Sequence, residues 1–487
     1  MNSKSVGLFL GPILFILILC LPFPTLSPAA HRLSAVLLWV VVYWITEAIP
    51  LPSTALLGAV LAILLGVEKS AKVLAPFANP VIFLFIGSFL LAKAMEAHHL
   101  DKRISLWLLS KLGHSQARAF LGVIFLSFTL SMWMSNTAAT VILLPITLGL
   151  IHTMEKEHKV GAKTKSKVLL LIAYAASIGG IATPVGTPPN LIGLGLIRDL
   201  VGARFSFFQW MTLGVPISLV TLLLLLLITK PWRGDAFKGA SPKIEGGLGS
   251  SLESQRKELG ALTAGERNTM VAFFAAVLLW TLPGFLAIVM GNDHPLVIRY
   301  NDLLPESVVA LMAALLLFIL PTSLKEMKFT LSWEQATTID WGTILLFGGG
   351  MSLGTLMFAT GLAEHLGQTL IAWTHVNSLW PMTFFSIVIA VFLSETTSNT
   401  AAANMVVPVM IAMAQAAQIN PIPPALGATL GASFGFMLPI STPPNAIAYS
   451  TGLIPIRLMV RYGIVLDLVG IVVIFTGLRL LWPMIGG

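Results

Sequence analysis

Charge is what this chain has least of. Asp, Glu, Lys and Arg make up 10% of its 487 residues, where a soluble domain carries about 25%. So little charge cannot cover a globule of this length, and lipid must solvate most of the surface. Cysteine is almost absent. Cys20 stands alone in the first apolar run, which excludes an internal disulfide and argues against a metal–thiolate centre. Basic residues are scattered among short loops with no aromatic–basic run, so the net charge of +8 reads as cytoplasmic loop bias and not as a nucleic-acid surface. The apolar stretches hold no His-Glu-x-x-His and no paired Asp, and their serines lack a nearby His or Lys. An intramembrane enzyme therefore ranks last among the candidate functions.

What is present is apolar length. The apolar class reaches 56% and the mean hydropathy is +0.88. A span needs about 20 mostly apolar residues. Eleven candidate spans cover 6–23, 34–50, 51–66, 80–97, 171–200, 209–230, 269–290, 303–321, 341–360, 424–453 and 461–483. Lys4 before the run from Val6 to Leu21, with Ser27, Ala29 and Ala30 after it, has the outline of a cleaved signal. The run is long for a signal core and further spans follow directly, so a first span over 1–33 is the expectation.

Two apolar stretches, 117–152 and 381–416, are too long for one span, and each carries Ser-Asn-Thr near its middle: Ser135, Asn136, Thr137 and Ser398, Asn399, Thr400. Each copy is followed by Thr-Pro-Pro-Asn, at Thr187 to Asn190 and at Thr442 to Asn445. An offset of 263 also lays Ser131 on Ser394 and Pro145 on Pro408, and an offset of 255 lays Gly180 on Gly435 and Gly186 on Ser441. Paired words in the same order signal internal duplication.

Loop charge orients the halves. Basic clusters fall at 93–118, 153–168 and 230–267, with Lys325 and Lys328 near 322–340, while the loops 67–79, 291–301, 361–380 and 417–423 hold few. A cytoplasmic N-terminus, with both long stretches as re-entrant hairpins, puts every basic cluster inside. Five spans and one hairpin per half then invert the second copy relative to the first. The domain reading is a first span (1–33), a first inverted repeat (34–230), a cytoplasmic linker (231–268) and a second inverted repeat (269–487).

Consecutive prolines remove two N–H donors and force extended backbone before them. Spans 171–200 and 424–453 should therefore be unwound in mid-membrane. Broken helices survive there only around protein or water-filled cavities. Helix N-termini suit an anion, and Ser, Thr, Asn and carbonyl oxygens suit a hard cation such as sodium. Segments 119–152, 169–197 and 424–456 hold no Lys or Arg, and 381–416 holds only Glu395, so a bound anion must be neutralised by co-bound cations. Glu395 matches Met132 in the other half. It is read as structural support by hydrogen bonding, with proton carriage the other possibility. Glu47 is read as a helix-end residue and Trp133 as packing. A monovalent cation/proton exchanger would need buried Asp or Lys at the broken helices, which the motif segments lack.

The words Ser-Met-Trp-Met-Ser-Asn-Thr-Ala at 131–138, Gly-Thr-Pro-Pro-Asn at 186–190, Glu-Thr-Thr-Ser-Asn-Thr-Ala at 395–401 and Met-Leu-Pro-Ile-Ser-Thr-Pro-Pro-Asn at 437–445 resemble the divalent anion/sodium symporter family, which includes dicarboxylate and citrate carriers. The resemblance implies an all-α polytopic homodimer whose hairpins and broken spans move as an elevator. It implies one sodium site at Ser131, Ser135, Asn136 and Gly186 and another at Ser394, Thr397, Asn399 and Ser441. It places the substrate carboxylates at Asn136, Thr137, Asn399 and Thr400, with Thr187 and Thr442 nearby. The expected activity is import of C4-dicarboxylates with sodium across a bacterial inner (cell) membrane. Sodium-independent dicarboxylate exchange on the same fold is the alternative.

Overall fold

A computed structural model describes residues 3–112, 116–157, 161–230, 257–291 and 293–485. The first half runs α1 (Ser3–Cys20), α2 (Pro28–Thr46), α3 (Leu51–Leu64), α4 (Ser70–Leu74), α5 (Pro80–Ala97), α6 (Leu100–Leu112), α7 (Gln116–Ser131), α8 (Asn136–Glu157), α9 (Ala162–Gly180), α10 (Pro188–Val201) and α11 (Phe207–Thr229). The second runs α12 (Ala264–Met290), α13 (Pro295–Leu303), α14 (Glu306–Ile319), α15 (Trp333–Ala336), α16 (Trp341–Ala359), α17 (Leu362–Thr374), α18 (Leu379–Thr396), α19 (Asn399–Ala416), α20 (Ile422–Gly431), α21 (Pro443–Ser450) and α22 (Ile456–Ile485). The protein is an all-α polytopic membrane protein. Among the described residues its one departure is a small hairpin of β1 (Pro321–Ser323) and β2 (Lys328–Phe329) in the expected loop near 322–340.

Eight described helices are long and apolar enough to cross a membrane, and α13 with α14, bent by 54°, would make a ninth. The sequence leads one to expect eleven spans; α3 is shorter, with 14 residues, and two of the others are broken. Conversely, α18, expected as half a hairpin, has a full span's length at 18 residues.

Helix ends follow local chemistry. Ser27 Oγ accepts from Ala30 N to start α2 at Pro28, and Glu47 ends it in the left-handed region at φ 49°. Thr263 and Glu266 cap each other's backbone at the start of α12, a reciprocal arrangement that satisfies two exposed donors. Helix therefore begins inside the expected linker: 264–268 is helical, and 231–256 lies outside the described residues. α2 likewise begins before 34, because Ser27 caps it and Pro28 stands at its first position.

Besides the short helices α4, α13 and α15 that fall within expected loops, two longer stretches are corrected to helices. Residues 100–112 within 93–118 form α6, and 362–374 within 361–380 form α17. Each has 13 residues, and their starts lie 262 apart, near the motif offset. Their polar faces dilute hydropathy averaged over a span-length window, which hides them from a search for apolar runs.

The halves interlock. α7 and α8 pack on each other and on α9, as α18 and α19 pack on each other and on α20. The second limbs cross over: α10 packs on α19 and α20, and α21 packs on α8 and α9. Around this bundle, α3 packs on α16 and α5 on α14.

Candidate functional site

Four chain breaks meet at one cavity of about 450 Å³. Two are the turns before α8 and α19. The others are the unwound stretches between α9 and α10 and between α20 and α21. Ser135, Asn136, Thr137, Gly186 and Thr187 line it from the first half, and Ser398, Asn399, Thr400, Ser441 and Thr442 from the second. Four helix N-termini face this space, since α8, α10, α19 and α21 all start here. Each contributes partial positive charge. Formal charges lie only at the rim, where Lys93 pairs with Glu96 at 3.1 Å and Asp340 caps α16 through Thr343 N.

Behind the tips the two halves repeat their hydrogen bonds. Ser131 Oγ donates to Asn136 Oδ1 at 2.5 Å, and Ser394 Oγ donates to Asn399 Oδ1 at 2.7 Å. Ser135 Oγ caps Ala138 N, and Ser398 Oγ caps Ala401 N, both at 3.2 Å. These serines thus orient the tip asparagines and start the helices. They do not satisfy carbonyls one turn back, the common role of hydroxyls in membrane helices. Thr397 is turned away, its Oγ1 donating to Trp44 O on α2 at 2.9 Å.

The unwound segments are held open by the asparagine of each Thr-Pro-Pro-Asn, a role that the motif alone does not reveal. Asn190 Nδ2 donates to Gly180 O (2.9 Å) and Thr183 O (2.8 Å). Asn445 Nδ2 donates to Gly435 O and Leu438 O, both at 3.1 Å. Both asparagines are fully buried. Their amides replace backbone partners that proline cannot supply. Thr183 Oγ1 also donates to Met132 O, and Tyr174 Oη donates to Phe436 O at 2.7 Å.

Glycine keeps two oxygen-lined pockets open at the expected sodium positions. A Cβ on Gly180 would lie 2.4 Å from Asn136 Oδ1 and 3.2 Å from Gly186 O, and one on Gly186 would lie 2.9 Å from Ser131 O. Side-chain and carbonyl oxygens of the expected first sodium site therefore surround a space a single carbon would fill. In the second half a Cβ on Gly435 would lie 3.0 Å from Ser394 O and Oγ. Oxygen-only donor sets of this kind fit sodium.

Some neighbours were not legible in the sequence. Trp133 lines the cavity as well as stacking on Phe207 at 6.2 Å. Ser88 and Phe89 on α5 and Thr338 in the turn before α16 complete the wall from segments without motif words. Asp467, in the middle of α22, is 5% exposed and adjoins Glu395. A single carboxylate inside an apolar run was the signal for it.

Compared with known proteins, residues 2–487 match the family model described as the sodium:sulfate symporter transmembrane region. A sodium-dependent dicarboxylate transporter, SdcS, of Staphylococcus saprophyticus is 36% identical over 494 residues, covering 100% of this chain and 92% of that one. SdcS of Staphylococcus aureus strain MRSA252 is 33% identical over 495 residues with the same coverage. Among solved structures, the Alcanivorax borkumensis YdaH transporter superposes with a TM-score of 0.57 at 14% identity, over 85% of this chain and 88% of that one; this likeness concerns the fold alone. The chain belongs to the sodium:sulfate symporter transmembrane family, the divalent anion/sodium symporters that its paired motifs resemble.

Proposed function

We propose that this protein imports C4-dicarboxylates such as succinate, malate and fumarate, driven by sodium. The observation that carries the reading is the convergence of both Ser-Asn-Thr turns and four helix N-termini on one cavity without a fixed cation at the tips. Each tip offers a hydroxyl, an amide and N-terminal N–H groups, a set that binds one carboxylate. Two tips suit a substrate with a carboxylate at each end. Asn136, Thr137, Asn399 and Thr400 take those carboxylates, with Thr187 and Thr442 closing the sides. Sodium binds at Ser131, Ser135, Asn136 and Gly186, and again at Ser394, Thr397, Asn399 and Ser441. Thr397 serves through its carbonyl, since its hydroxyl is given to α2. The names of the SdcS relatives support this coupling.

Coupling follows from electrostatics. A bare dianion carried through the bilayer interior would meet a prohibitive desolvation cost. Cations bound beside it cancel that charge, so the loaded carrier crosses neutral. Hairpins and broken helices pack as one body, and this body moves as an elevator against the surrounding helices. The protein works as a homodimer in a bacterial cell membrane with a cytoplasmic N-terminus. In this orientation the rim at Lys93, Glu96 and Asp340 faces the cytoplasm, so the cavity is inward-open.

Two results test the proposal. In proteoliposomes, excess malate or fumarate should suppress labelled succinate uptake, and a monocarboxylate of similar size should not. Equal suppression by the monocarboxylate would remove the two-tip model. For topology, single cysteines at Lys163 and Gln418 in a Cys20→Ser background should react with impermeant reagents from the cytoplasm and the outside respectively. Reaction of both from one side would refute the inverted arrangement.

A further inference from the structure

The moving body and the surrounding helices are tied together at one buried amide. Asn79 stands before α5, a surrounding helix that packs on α14. Arg198 and Asp199 lie near the end of α10, which packs on α19 and α20 within the body. Asn79 Oδ1 accepts from Val81 N at 2.9 Å and so starts α5. The same oxygen accepts from Arg198 Nη2 at 2.7 Å, while Asn79 Nδ2 donates to Asp199 Oδ2 at 2.6 Å. Arg198 Nε closes the ring by donating to Asp199 Oδ1 at 3.1 Å. Asn79 is buried, and it offers its acceptor to a guanidinium and its donor to a carboxylate. Both bonds are charge-assisted and hence strong for neutral-group contacts.

The second half holds the same position in an unattached form. Asp340 caps α16 as Asn79 caps α5, 261 residues further on and close to the motif offset. Its carboxylate serves its own helix, accepting from Thr343 N at 3.0 Å and from Thr343 Oγ1 at 2.6 Å. It stands at the rim of the substrate cavity. One cap is bonded to the body, and its counterpart lies at an open mouth. Inverted repeats alternate access by exchanging such roles between the halves.

A cleft of about 410 Å³ adjoins the bonded cap. Val81 and Leu84 of α5 and Pro305 and Ser307 at the start of α14 line it from one side, and Pro184 and Arg198 line it from the body. Pro184 lies in the unwound stretch before α10, and the next two residues, Val185 and Gly186, line the substrate cavity. The same unwound segment therefore walls both spaces.

We propose that this cleft is the outer entrance of the transport path, and that Asn79, Arg198 and Asp199 are the gate that holds it shut in the inward-open state. The proposal rests on the elevator reading and the orientation given above. Asn79 is fixed at the start of α5, so a body sliding outward must part Arg198 and Asp199 from it. Those two charges travel together and stay paired with each other. Opening therefore leaves no lone charge, and only the amide exchanges its partners for water, which keeps the step reversible.

Access reads the gate directly. In the Cys20→Ser background, Ala138→Cys on the cavity wall travels with the body and should react slowly with an impermeant thiol reagent added outside. Asn79→Ser keeps a hydroxyl for Val81 N but is too short to hold both charged partners, and should raise that rate at least about tenfold. Arg198→Gln leaves the cap of α5 untouched and should raise it about threefold or more; it carries the test alone if Asn79→Ser does not fold. Arg204→Gln, on the same cleft but outside the ring of bonds, should stay within about twofold of the unsubstituted gate. Asn79→Cys with Asp199→Cys, joined by a short cleavable cross-linker, should stop succinate uptake until the linker is cut. Unchanged access in the gate variants overturns the proposal, and so does continued uptake by the bridged carrier. Uptake that needs no sodium yet stops on bridging would refute the sodium-coupled reading and leave the gate standing.

Discussion

Thr137→Val and Thr400→Val should each raise the apparent KM for succinate about ten- to a hundredfold while the protein stays folded. Both threonines line the cavity, and neither hydroxyl is engaged by a protein partner among the described residues. Valine keeps the shape and removes the donor. A hydrogen bond to a charged group contributes about 1.5–3 kcal/mol, which sets that range. Ser131 and Ser394 lie behind the tips and donate to asparagine, so their replacement should act on sodium dependence more than on succinate KM. Unchanged KM in both valine variants would move the carboxylate site elsewhere.

Gly180→Ala should sharply weaken sodium dependence. The added Cβ would stand 2.4 Å from Asn136 Oδ1, inside any allowed contact, so the asparagine must leave the cradle. Loss of a well-placed oxygen ligand, itself a charge-assisted contact, predicts at least about a tenfold rise in sodium half-saturation. Gly435→Ala meets Ser394 at 3.0 Å and should cost less. Gly149→Ala on α8, with nothing within 4 Å of the new carbon, should resemble wild type. Indistinguishable sodium dependence in Gly180→Ala and Gly149→Ala would mean that no cation binds between Gly180 and Asn136.

Much of this site could be read before folding, because its residues lie in repeated words. Ser-Asn-Thr needs a helix start, and two prolines need a break, so local chemistry located the four chain breaks that meet at the cavity. The parts that escaped depend on long-range packing. Asn190 and Asn445 belong to the motif, but the carbonyls they bridge are known only once the chain is unwound. Asp467 lies 72 residues from Glu395, and nothing local reveals that α18 and α22 pack together. α6 and α17 escaped because an apolar-run search is blind to helices with a polar face. The hydroxyl of Thr397, read with the second cation site, turns instead to Trp44 across the molecule.

The central claim is that sodium drives dicarboxylate entry through the two-tip cavity. The most direct measurement is uptake of labelled succinate into proteoliposomes containing no dicarboxylate, with an inward gradient of either sodium or choline. The account predicts concentrative uptake in sodium and only background uptake in choline. Equal uptake in the two salts would contradict it, and a requirement for internal dicarboxylate in that case would identify an exchanger.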